Sequence, residues 1–514
     1  MRRFLVPQLL AGLTALLLCG SASAQTPLTW WEHSNPPHNE YSKQLVEEWN
    51  KAHSNTPIRY EFFAMTPYFK KLTAALSTRS AADMFTVIDT LLPSFTTKNI
   101  LGPIRPDWLG YKDLEDMKKA YLPGALDGYI DNGKLYAVPP IASVFSLYIN
   151  KKHFQEAGLD PDKDYPRTWE DIGTIGKKLV KMEGNRMVRE GFDFAMHSST
   201  WTMWYFNTLI RQFGGEVLDA SGQNCTANSD AGVKAMKVRA MFVHDYKISD
   251  PTVSLGTNAL PADDLPKGRV SMFITHAGSV AQFGPEVMKD MKVVPFPQAN
   301  PDKPVSPVYG FAVAMNPHLS EEKQKQVHEV MKFVLKDAKT WYERTAYPYP
   351  YKNFLDLPGM DEARRTKYLD VFIHDVSIGR FVQRSPQIIE ISEAIHRAME
   401  RVVLRNEDPK RSLDQACTEI SRALAKRYSG SDGAQGRGPR DAARDHRQVC
   451  LRSAAGSLGG GTLHPEPPPL GGVLVRPSGA YPPRDLQVLS DARGLLAKLP
   501  SVRSHESARV QRAA

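Results

Sequence analysis

Apolar and polar positions along residues 25–428 follow two different periods, and this predicts a protein that contains both strands and helices. Short apolar runs of strand length occur at 28–32, 58–63 and 84–88. Residues 41–49, between the first two runs, place their apolar side chains on one helical face. Strands that alternate with amphipathic helices in this way are typical of α/β proteins.

The same two periods continue through the rest of this body of the chain. Residues 136–138 and 144–149 read as strands, residues 320–345 as one helix, and residues 386–424 as a closing helical stretch. A chain of 514 residues is also too long for one core. We therefore expect at least two domains.

The first 24 residues differ from the body and predict a signal peptide. Arg2 and Arg3 precede an apolar run at 9–18, and the small residues 21–24 form a cleavage site. A lipid attached to Cys19 is the alternative, but the residue before that cysteine is a leucine rather than a small residue. We favour cleavage after residue 24 and expect a periplasmic protein.

The last 86 residues, 429–514, have a composition that does not support a packed core. They hold twelve Gly and nine Pro, and eleven of their twelve basic residues are Arg. We interpret them as a disordered or aberrant Gly-Pro-Arg-rich tail. Two origins remain open: a frameshifted or read-through extension, and a genuine disordered tail.

Charge and cysteines exclude several classes of function. The net charge of +9 falls to +2 for residues 25–428 once the two ends are set aside, so no nucleic-acid-binding surface is implied. No CxxC motif occurs, and no metal or redox centre is expected. Cys225 and Cys417 are either a disulfide or two buried thiols.

Known catalytic motifs are also missing from the sequence. It contains no phosphate-binding Gly-rich loop followed by Lys-Ser or Lys-Thr, no G-x-S-x-G and no H-E-x-x-H. Asp263 and Asp264 are adjacent, and we read them as part of a solvated loop. His33 and His38 have no fixed helical spacing and no supporting carboxylate cluster, which argues against a metal site.

One segment, GKLYAVPPIASVFSLYINKKHFQEAGLDPDKDYPRTWEDI at 133–172, indicates a family. It resembles the pattern G-K-L-Y-x-V-P … Y-N-K-x-x-F-x-x-A-G-L-D-P … P-x-T-W-x-E. That pattern belongs to the extracellular (periplasmic) solute-binding proteins of ABC transporters, in sugar-binding family 1, which includes maltose-binding-protein-like chains. Residues 213–236, 266–280, 306–316 and 408–416 resemble later segments of the same family.

The resemblance implies a two-lobed periplasmic binding protein fold of the class II type. Each lobe would contain a mixed sheet flanked by helices, and three crossovers would join the lobes. Lobe 1 would comprise 25–142 and 309–345, and lobe 2 would comprise 143–308 and 346–428. The expected protein is a monomer without cofactors that delivers a small molecule to separate ABC permease subunits and is not an enzyme.

The end of the first strand is the first candidate for the ligand site, because ligands of open α/β sheets lie outside the carboxyl ends of strands. Trp31, Glu32 and His33 lie there. Adjacent Trp30 and Trp31 must face opposite ways on a strand, and we expect Trp31 to face the cleft.

Further candidates each have an alternative structural role. Trp201 and Trp204 share a helical face and either stack on the ligand or belong to the core. Asp89 accepts ligand hydroxyls or caps the next segment, and Tyr347 binds ligand or packs at the third crossover. Arg384 meets an anionic ligand or is an ordinary surface residue. Gly278, Tyr309 and Gly310 match family positions near the ligand, where a glycine backbone can approach closely.

Carbohydrate is the expected ligand class, because aromatic residues are plentiful near the predicted cleft and no anion-binding cluster is evident. The first alternative is a polyol phosphate, such as glycerol 3-phosphate or its diesters. The second is a secreted carbohydrate-active enzyme, which would need two carboxylates facing each other across a site.

Overall fold

The structure, a computed structural model, describes residues 26–194, 198–251 and 267–426. The predicted signal peptide, the predicted tail, Asp263 and Asp264 lie outside these ranges.

Strands and helices alternate along the described chain, as the sequence predicts. The strands are β1 Leu28–His33, β2 Ile58–Phe63, β3 Met84–Ile88, β4 Ile130–Asp131, β5 Lys134–Leu135, β6 Ala137–Val138, β7 Ser143–Asn150, β8 Lys181–Glu183, β9 Arg186–Arg189, β10 Asp193–Phe194, β11 Met272–His276, β12 Met291–Val294, β13 Ser306–Tyr309, β14 Phe311–Met315 and β15 Gly379–Arg380. The helices are α1 Pro36–Ala52, α2 Met65–Ser77, α3 Leu92–Thr96, α4 Leu114–Ala120, α5 Lys151–Glu156, α6 Trp169–Leu179, α7 Ser199–Gln212, α8 Asp230–His244, α9 Ser279–Met288, α10 Glu321–Val334, α11 Ala338–Thr345, α12 Met360–Thr366, α13 Leu369–Ser377, α14 Ile388–Arg405 and α15 Pro409–Leu424.

Lobe 1 is built on a five-stranded mixed sheet in the order β2-β1-β3-β14-β6. The first three strands are parallel, and β14 runs antiparallel to both of its neighbours. Every residue of β3 and β14 is buried. Helices therefore cover both faces of the central strands, which explains their continuous apolar sequences.

Lobe 2 contains a six-stranded mixed sheet centred on β7. The strand order is β10-β11-β7-β13-β15, and β12 also pairs with β7. All eight residues of β7 are buried. The predicted two-lobed α/β fold with mixed sheets and flanking helices is thus confirmed.

Two of the three crossovers lie between consecutive strands. The chain leaves lobe 1 between β6 and β7, through residues 139–142, and returns between β13 and β14 at Gly310. Pro139 and Pro140 cannot donate ladder hydrogen bonds, so they end the pairing of β6 before the crossover.

The third crossover lies later than residue 346, where we expected it. Residues 350–352 pair with lobe 1: the Leu122 amide donates to the Pro350 carbonyl at 2.8 Å, and the Lys352 amide donates to the Ala120 carbonyl at 3.0 Å. Residues 346–367 therefore belong to lobe 1. The chain then enters lobe 2 at Tyr368, whose hydroxyl donates to the Met291 carbonyl at 2.9 Å.

Local capping explains two helix boundaries. Thr168 and Asp171 form the capping box that starts α6. The single helix expected at 320–345 is two helices, because Asp337 accepts a hydrogen bond from the Thr340 amide and begins α11.

A disulfide joins Cys225 to Cys417 and fastens α15 to lobe 2, which resolves the alternative between a disulfide and two thiols. In the described ranges, no helix has both the length and the apolar character needed to cross a membrane.

Candidate functional site

The carboxyl end of the lobe 1 sheet presents polar side chains toward lobe 2. His33 ends β1, Asn35 lies in the loop before α1, and Asp89 and Thr90 follow β3. Asn35 and Asp89 are more than nine-tenths buried, although each lies at the end of a strand. Both are therefore buried rather than exposed on the outer surface.

Lobe 2 contributes mostly aromatic side chains to the same region. Trp201 and Trp204 come from the first two turns of α7, His276 ends β11, and Tyr309 ends β13. The Trp204 and Tyr309 rings stack with centroids 4.2 Å apart. We call these four lobe 2 residues, together with Tyr347 of lobe 1, the interlobe band.

Tyr347 joins the lobes through its hydroxyl. It accepts a hydrogen bond from Asn35 Nδ2 at 3.1 Å, within lobe 1, and lies 3.1 Å from His276 Nδ1 of lobe 2. The Tyr347 and His276 rings also stack at 5.7 Å. Because burial lowers the pKa of His276 to about 4, this ring is neutral at physiological pH.

Two more contacts cross between the lobes. Trp204 Nε1 donates to Thr90 Oγ1 at 3.2 Å. Arg384 Nη1 donates to the Asp127 carbonyl at 3.0 Å, and Arg384 Nη2 lies 3.8 Å from Asp131. Arg384 is therefore engaged in an interlobe contact, so it is not an ordinary surface residue.

A run of stacked and edge-to-face rings connects the interlobe band to β1. Tyr309 contacts Phe311 edge to face at 5.8 Å, and Phe311 stacks on His33 at 3.9 Å. Burial and the nearby His38 lower the pKa of His33 to about 3, so its imidazole is neutral. His33 thus reaches the interlobe region, as predicted.

The structure places Trp31 away from the cleft, contrary to our expectation. Its ring packs edge to face on Phe63 at 5.7 Å and lies beneath the ammonium of Lys71 at 4.3 Å. Trp30 is fully buried on the opposite face of the strand. The expected alternation is correct, but α2 covers the face that holds Trp31.

Glu32 is also used inside lobe 1 rather than toward a ligand. Its carboxylate accepts hydrogen bonds from Tyr60 at 2.6 Å and Thr86 at 3.2 Å and lies 3.4 Å from His38 Nε2. Burial alone would raise the pKa of Glu32, but His38 and the hydrogen bonds lower it to about 2. This face of β1 packs on α1, where the carboxylate is a structural group.

Asp89 holds the second crossover in place. Its Oδ1 accepts the Gly310 amide at 2.9 Å, and its own amide donates to the Gly310 carbonyl at 3.2 Å. Burial raises the pKa of Asp89 to about 7, although the Gly310 amide and Arg384 favour the charged form.

The glycines at 278 and 310 are required by tyrosine packing. A Cβ on Gly278 would lie 2.2 Å from the Tyr347 ring, and one on Gly310 would lie 2.1 Å from the Tyr129 hydroxyl. Both positions thus allow close approach, as the sequence suggests, but the group that approaches in this structure is a tyrosine.

Buried hydrogen-bonding groups with unused capacity make the region a candidate for ligand binding. Asn35 Oδ1, His33 Nδ1 and the Tyr129 hydroxyl have no hydrogen-bond partner among the described residues. Because unsatisfied buried polar groups are costly, a ligand that offers matching groups would gain free energy here.

Two cavities are lined by residues of both lobes. The first, which we call the side chamber, has about 500 Å³ and is bounded by α1, α9 and the end of α11. The second, the hinge cavity, has about 410 Å³ and is lined by residues of both lobes and of the first crossover. Both volumes fall in the range typical of small-molecule sites.

Sequence reasoning missed Asn35, Thr90, His276 and Phe311. Asn35 and Thr90 each follow a predicted site residue closely, and His276 directly precedes the Ala-Gly pair that resembles the family. A position at or just after the end of a strand was therefore a signal that could have identified these three residues. In the described part of the chain, no group of three or more His, Cys, Asp and Glu side chains is arranged to hold a metal ion.

Two lobes, three crossovers and a lined space between the lobes define a binding protein of the hinged, two-lobed class. The family model for bacterial extracellular solute-binding proteins matches residues 35–340. The chain belongs to this family and is the solute-binding component of an ABC transporter. Its family and structural neighbours are substrate-binding proteins rather than enzymes.

Sequence relatives agree with this assignment. A putative binding protein of Brucella abortus is 23% identical over 430 residues, which cover 81% of this chain and 98% of the relative. The sn-glycerol-3-phosphate-binding periplasmic protein UgpB of Brucella abortus is 30% identical over 209 residues, or 39% of this chain and 45% of that protein.

Solved structures show the same fold at low identity. A solute-binding protein of Thermotoga lettingae bound with α-D-tagatose is 19% identical, has a TM-score of 0.66, and covers 78% of this chain and 100% of its own. UgpB of Mycobacterium tuberculosis in complex with glycerophosphocholine is 19% identical and has a TM-score of 0.66. The match covers 78% of this chain and 98% of that protein.

Proposed function

We propose that this protein binds a carbohydrate between its lobes and delivers it to the permease of an ABC importer. The observation that supports this ligand class is the interlobe band, in which aromatic rings from both lobes surround neutral hydrogen-bonding groups. Sugars present flat C–H faces to aromatic rings and rims of hydroxyl groups to polar side chains. Trp201, Trp204, Asn35 and His33 provide both kinds of partner.

The hinged architecture supplies the mechanism of delivery. A ligand that contacts both lobes binds the closed form more tightly than the open form, and its differential affinity shifts the population toward closure. Three contacts cross the interface, so closure would make them and opening would break them: Tyr347 with His276, Trp204 with Thr90, and Arg384 with the Asp127 carbonyl. The closed form is then the one that docks on the permease.

Polyol phosphate is the second candidate, and Arg384 is the observation that favours it. Its guanidinium lies between the lobes, where a phosphate could accept hydrogen bonds from it. The two relatives called UgpB bind, as their names state, sn-glycerol 3-phosphate or glycerophosphocholine. Against this ligand, Arg384 already contacts Asp127 and Asp131, and the carboxyl of Asp89 would repel an anion when it is ionised.

Thermal unfolding with a ligand panel tests the proposal. Residues 25–428 are melted with mono- and oligosaccharides, glycerol 3-phosphate and glycerophosphocholine, and a ligand that binds the folded state raises the melting temperature. We expect a shift with at least one sugar that is lost in Trp201→Ala and kept in Trp108→Ala, a tryptophan on lobe 1 beside His328. A shift with the phosphates alone would replace the carbohydrate proposal.

Location, oligomeric state and lack of catalysis are part of the same proposal. The N-terminal 24 residues are a cleaved signal peptide, and the mature protein is a periplasmic monomer. Mass spectrometry of the exported protein and light scattering check the two statements. Incubation with the sugars that bind should leave them unchanged, and any turnover would favour the carbohydrate-active enzyme.

A further inference from the structure

Asn35 occupies the N-cap position of α1 but does not cap the helix. Its backbone is extended, as is usual at this position, yet its side chain forms no hydrogen bond with the first turn. The side-chain nitrogen Nδ2 instead donates to the Tyr347 hydroxyl at 3.1 Å, and Oδ1 has no hydrogen-bond partner among the described residues. Because Asn35 is only 6% exposed, this acceptor is buried without a donor.

The sequence of the first turn explains why the Asn35 side chain is free. An N-cap side chain normally accepts a hydrogen bond from the backbone amide at N2 or N3. Pro36 and Pro37 occupy N1 and N2, and proline has no amide hydrogen, so the N2 donor is missing. The N3 amide, which belongs to His38, does not bond Asn35 Oδ1 either.

Asn39 holds the Asn35 backbone in place of the usual cap. Asn39 Oδ1 accepts the Asn35 amide at 2.6 Å, and Asn39 Nδ2 donates to the His33 carbonyl at 3.0 Å. The same Nδ2 donates to the Tyr60 hydroxyl at 2.9 Å and to Glu32 Oε2 at 3.3 Å. One buried side chain thus fastens the loop between β1 and α1 to the lobe 1 sheet.

The free acceptor lies where lobe 2 approaches lobe 1. The Tyr347 hydroxyl that Asn35 contacts also lies 3.1 Å from His276 Nδ1 of lobe 2. Asn35 Oδ1 can accept a hydrogen bond but cannot donate one, so it selects a hydroxyl or N–H group of a ligand. Sugars and the glycerol part of a polyol phosphate both offer such a hydroxyl.

We propose that Asn35 Oδ1 is left free for a donor group of the ligand, and that Asn39 is the positioning residue that holds Asn35 for this role. The inference rests on the proposed binding of a solute between the lobes, but not on the class of that solute. The Asn35-Pro36-Pro37 sequence gives up a helix cap, and the free acceptor gains its hydrogen bond only when the ligand is present.

Two proline substitutions test whether Asn35 Oδ1 is free. Pro37→Ala restores the N2 amide, which can donate to Oδ1, whereas Pro36→Ala restores an N1 amide that an N-cap side chain does not accept. Each change removes one proline from the unfolded chain, so Pro36→Ala is the matched control. We expect the unliganded mature Pro37→Ala protein to melt about 1–2 °C above Pro36→Ala. Equal melting temperatures would refute the inference without any ligand.

Calorimetric titration of the same proteins with D-glucose, maltose and sn-glycerol 3-phosphate measures the effect on binding. The restored cap competes with the ligand, so Pro37→Ala should bind about three- to tenfold more weakly than Pro36→Ala. Equal affinities would contradict a ligand contact at Oδ1. A wild type that binds the phosphate alone would overturn the carbohydrate class and not this inference, because the comparison of the two proline variants applies to either ligand.

The role of Asn39 is tested by its coupling to Asn35. With the tightest-binding of the three compounds, Asn39→Ala should weaken binding about three- to tenfold in the wild type and less than twofold in Asn35→Ala, where the positioned contact is already gone. Asn50→Ala is the control, because Asn50 lies on the same helix and bonds both backbone groups of Ile58 within lobe 1. It should lower the melting temperature and keep the affinity. Equal weakening by Asn39→Ala in both backgrounds would refute the positioning role.

Discussion

The Tyr347 hydroxyl forms a direct contact between the lobes. Tyr347→Phe removes the hydroxyl that bonds Asn35 and His276 but keeps the ring against Gly278. Loss of about 0.5–1.5 kcal/mol in the closed state predicts ligand affinity lower by roughly two- to twelvefold. Titration calorimetry with the ligand found in the panel measures this.

Tyr349→Phe is the matched control for Tyr347→Phe. Tyr349 is equally buried and donates one hydrogen bond, to the Leu335 carbonyl at 3.0 Å within lobe 1. Its loss should lower the melting temperature but leave affinity unchanged. Equal affinity losses in the two variants would show that the Tyr347 hydroxyl has no special part in closure.

Asp89 predicts a measurable dependence of stability on pH. Its folded pKa of about 7 exceeds the ordinary value of 3.8, so the folded state binds this proton more tightly than the unfolded state. Stability from this group is fully present below pH 4 and is lost as pH rises through 7. Asp89→Asn stays neutral, so we expect its stability relative to the wild type to rise between pH 4 and 8, by up to roughly 4 kcal/mol.

Denaturant unfolding of both proteins across that pH range gives the difference directly. His33, His276 and Glu32 also titrate with shifted pKa values, but they are present in both proteins and cancel in the comparison. A difference that stays constant with pH would contradict the raised pKa of Asp89.

At the scale of single residues, the sequence predicted positions at strand ends, several of which the structure brings to the region between the lobes, but it did not predict where each side chain points. Alternation on β1 correctly separated Trp30 from Trp31, but the position of α2 over one face depends on tertiary packing that one strand does not encode. Gly278 and Gly310 were identified as positions of close approach. The tyrosines that occupy the space come from distant segments, so local sequence could not name them.

Among the elements, the turn from β13 to β14 depends on one close packing contact. Gly310→Ala places a methyl group against the Tyr129 hydroxyl and should destabilise the fold by about 1–3 kcal/mol. Tyr129→Phe removes the opposing oxygen, so Gly310→Ala/Tyr129→Phe should recover part of the loss. A double-mutant cycle by chemical denaturation measures the coupling, and strictly additive effects would argue against this contact.

The disulfide is the second element whose contribution can be measured. Cys225 and Cys417 are separated by 192 residues, so their bond restricts a long loop of the unfolded chain. We expect Cys225→Ser/Cys417→Ala to lose about 2–5 kcal/mol of stability. The wild type treated with dithiothreitol should match the variant in melting temperature, and an unchanged melting temperature in both would exclude a stabilising role.

Element positions were predicted well where the signal was local and poorly where it was not. The ends of β2 and β3 agree with the apolar runs, and Thr168 caps α6 as its sequence indicates. The third crossover was misplaced because residues 350–352 pair with residues 120–122, and such long-range pairing leaves no periodic signal in the sequence.

For the whole molecule, the predicted tail gives a simple test. The described core ends with α15, which packs on α14 and is held by the disulfide. A chain truncated after residue 428 should keep the melting temperature and ligand affinity of the longer protein. Fluorimetry and calorimetry on the two proteins compare them, and a marked loss of either property would show that residues 429–514 contribute to the fold or the site.

The order of strands in lobe 1 has a consequence for how the protein is made. β14 lies in the interior of the sheet, between β3 and β6, yet it is the last of the five strands in the sequence. A nascent chain that has not yet reached residue 315 leaves a gap in that sheet, so lobe 1 cannot finish folding while its N-terminal half is being synthesised.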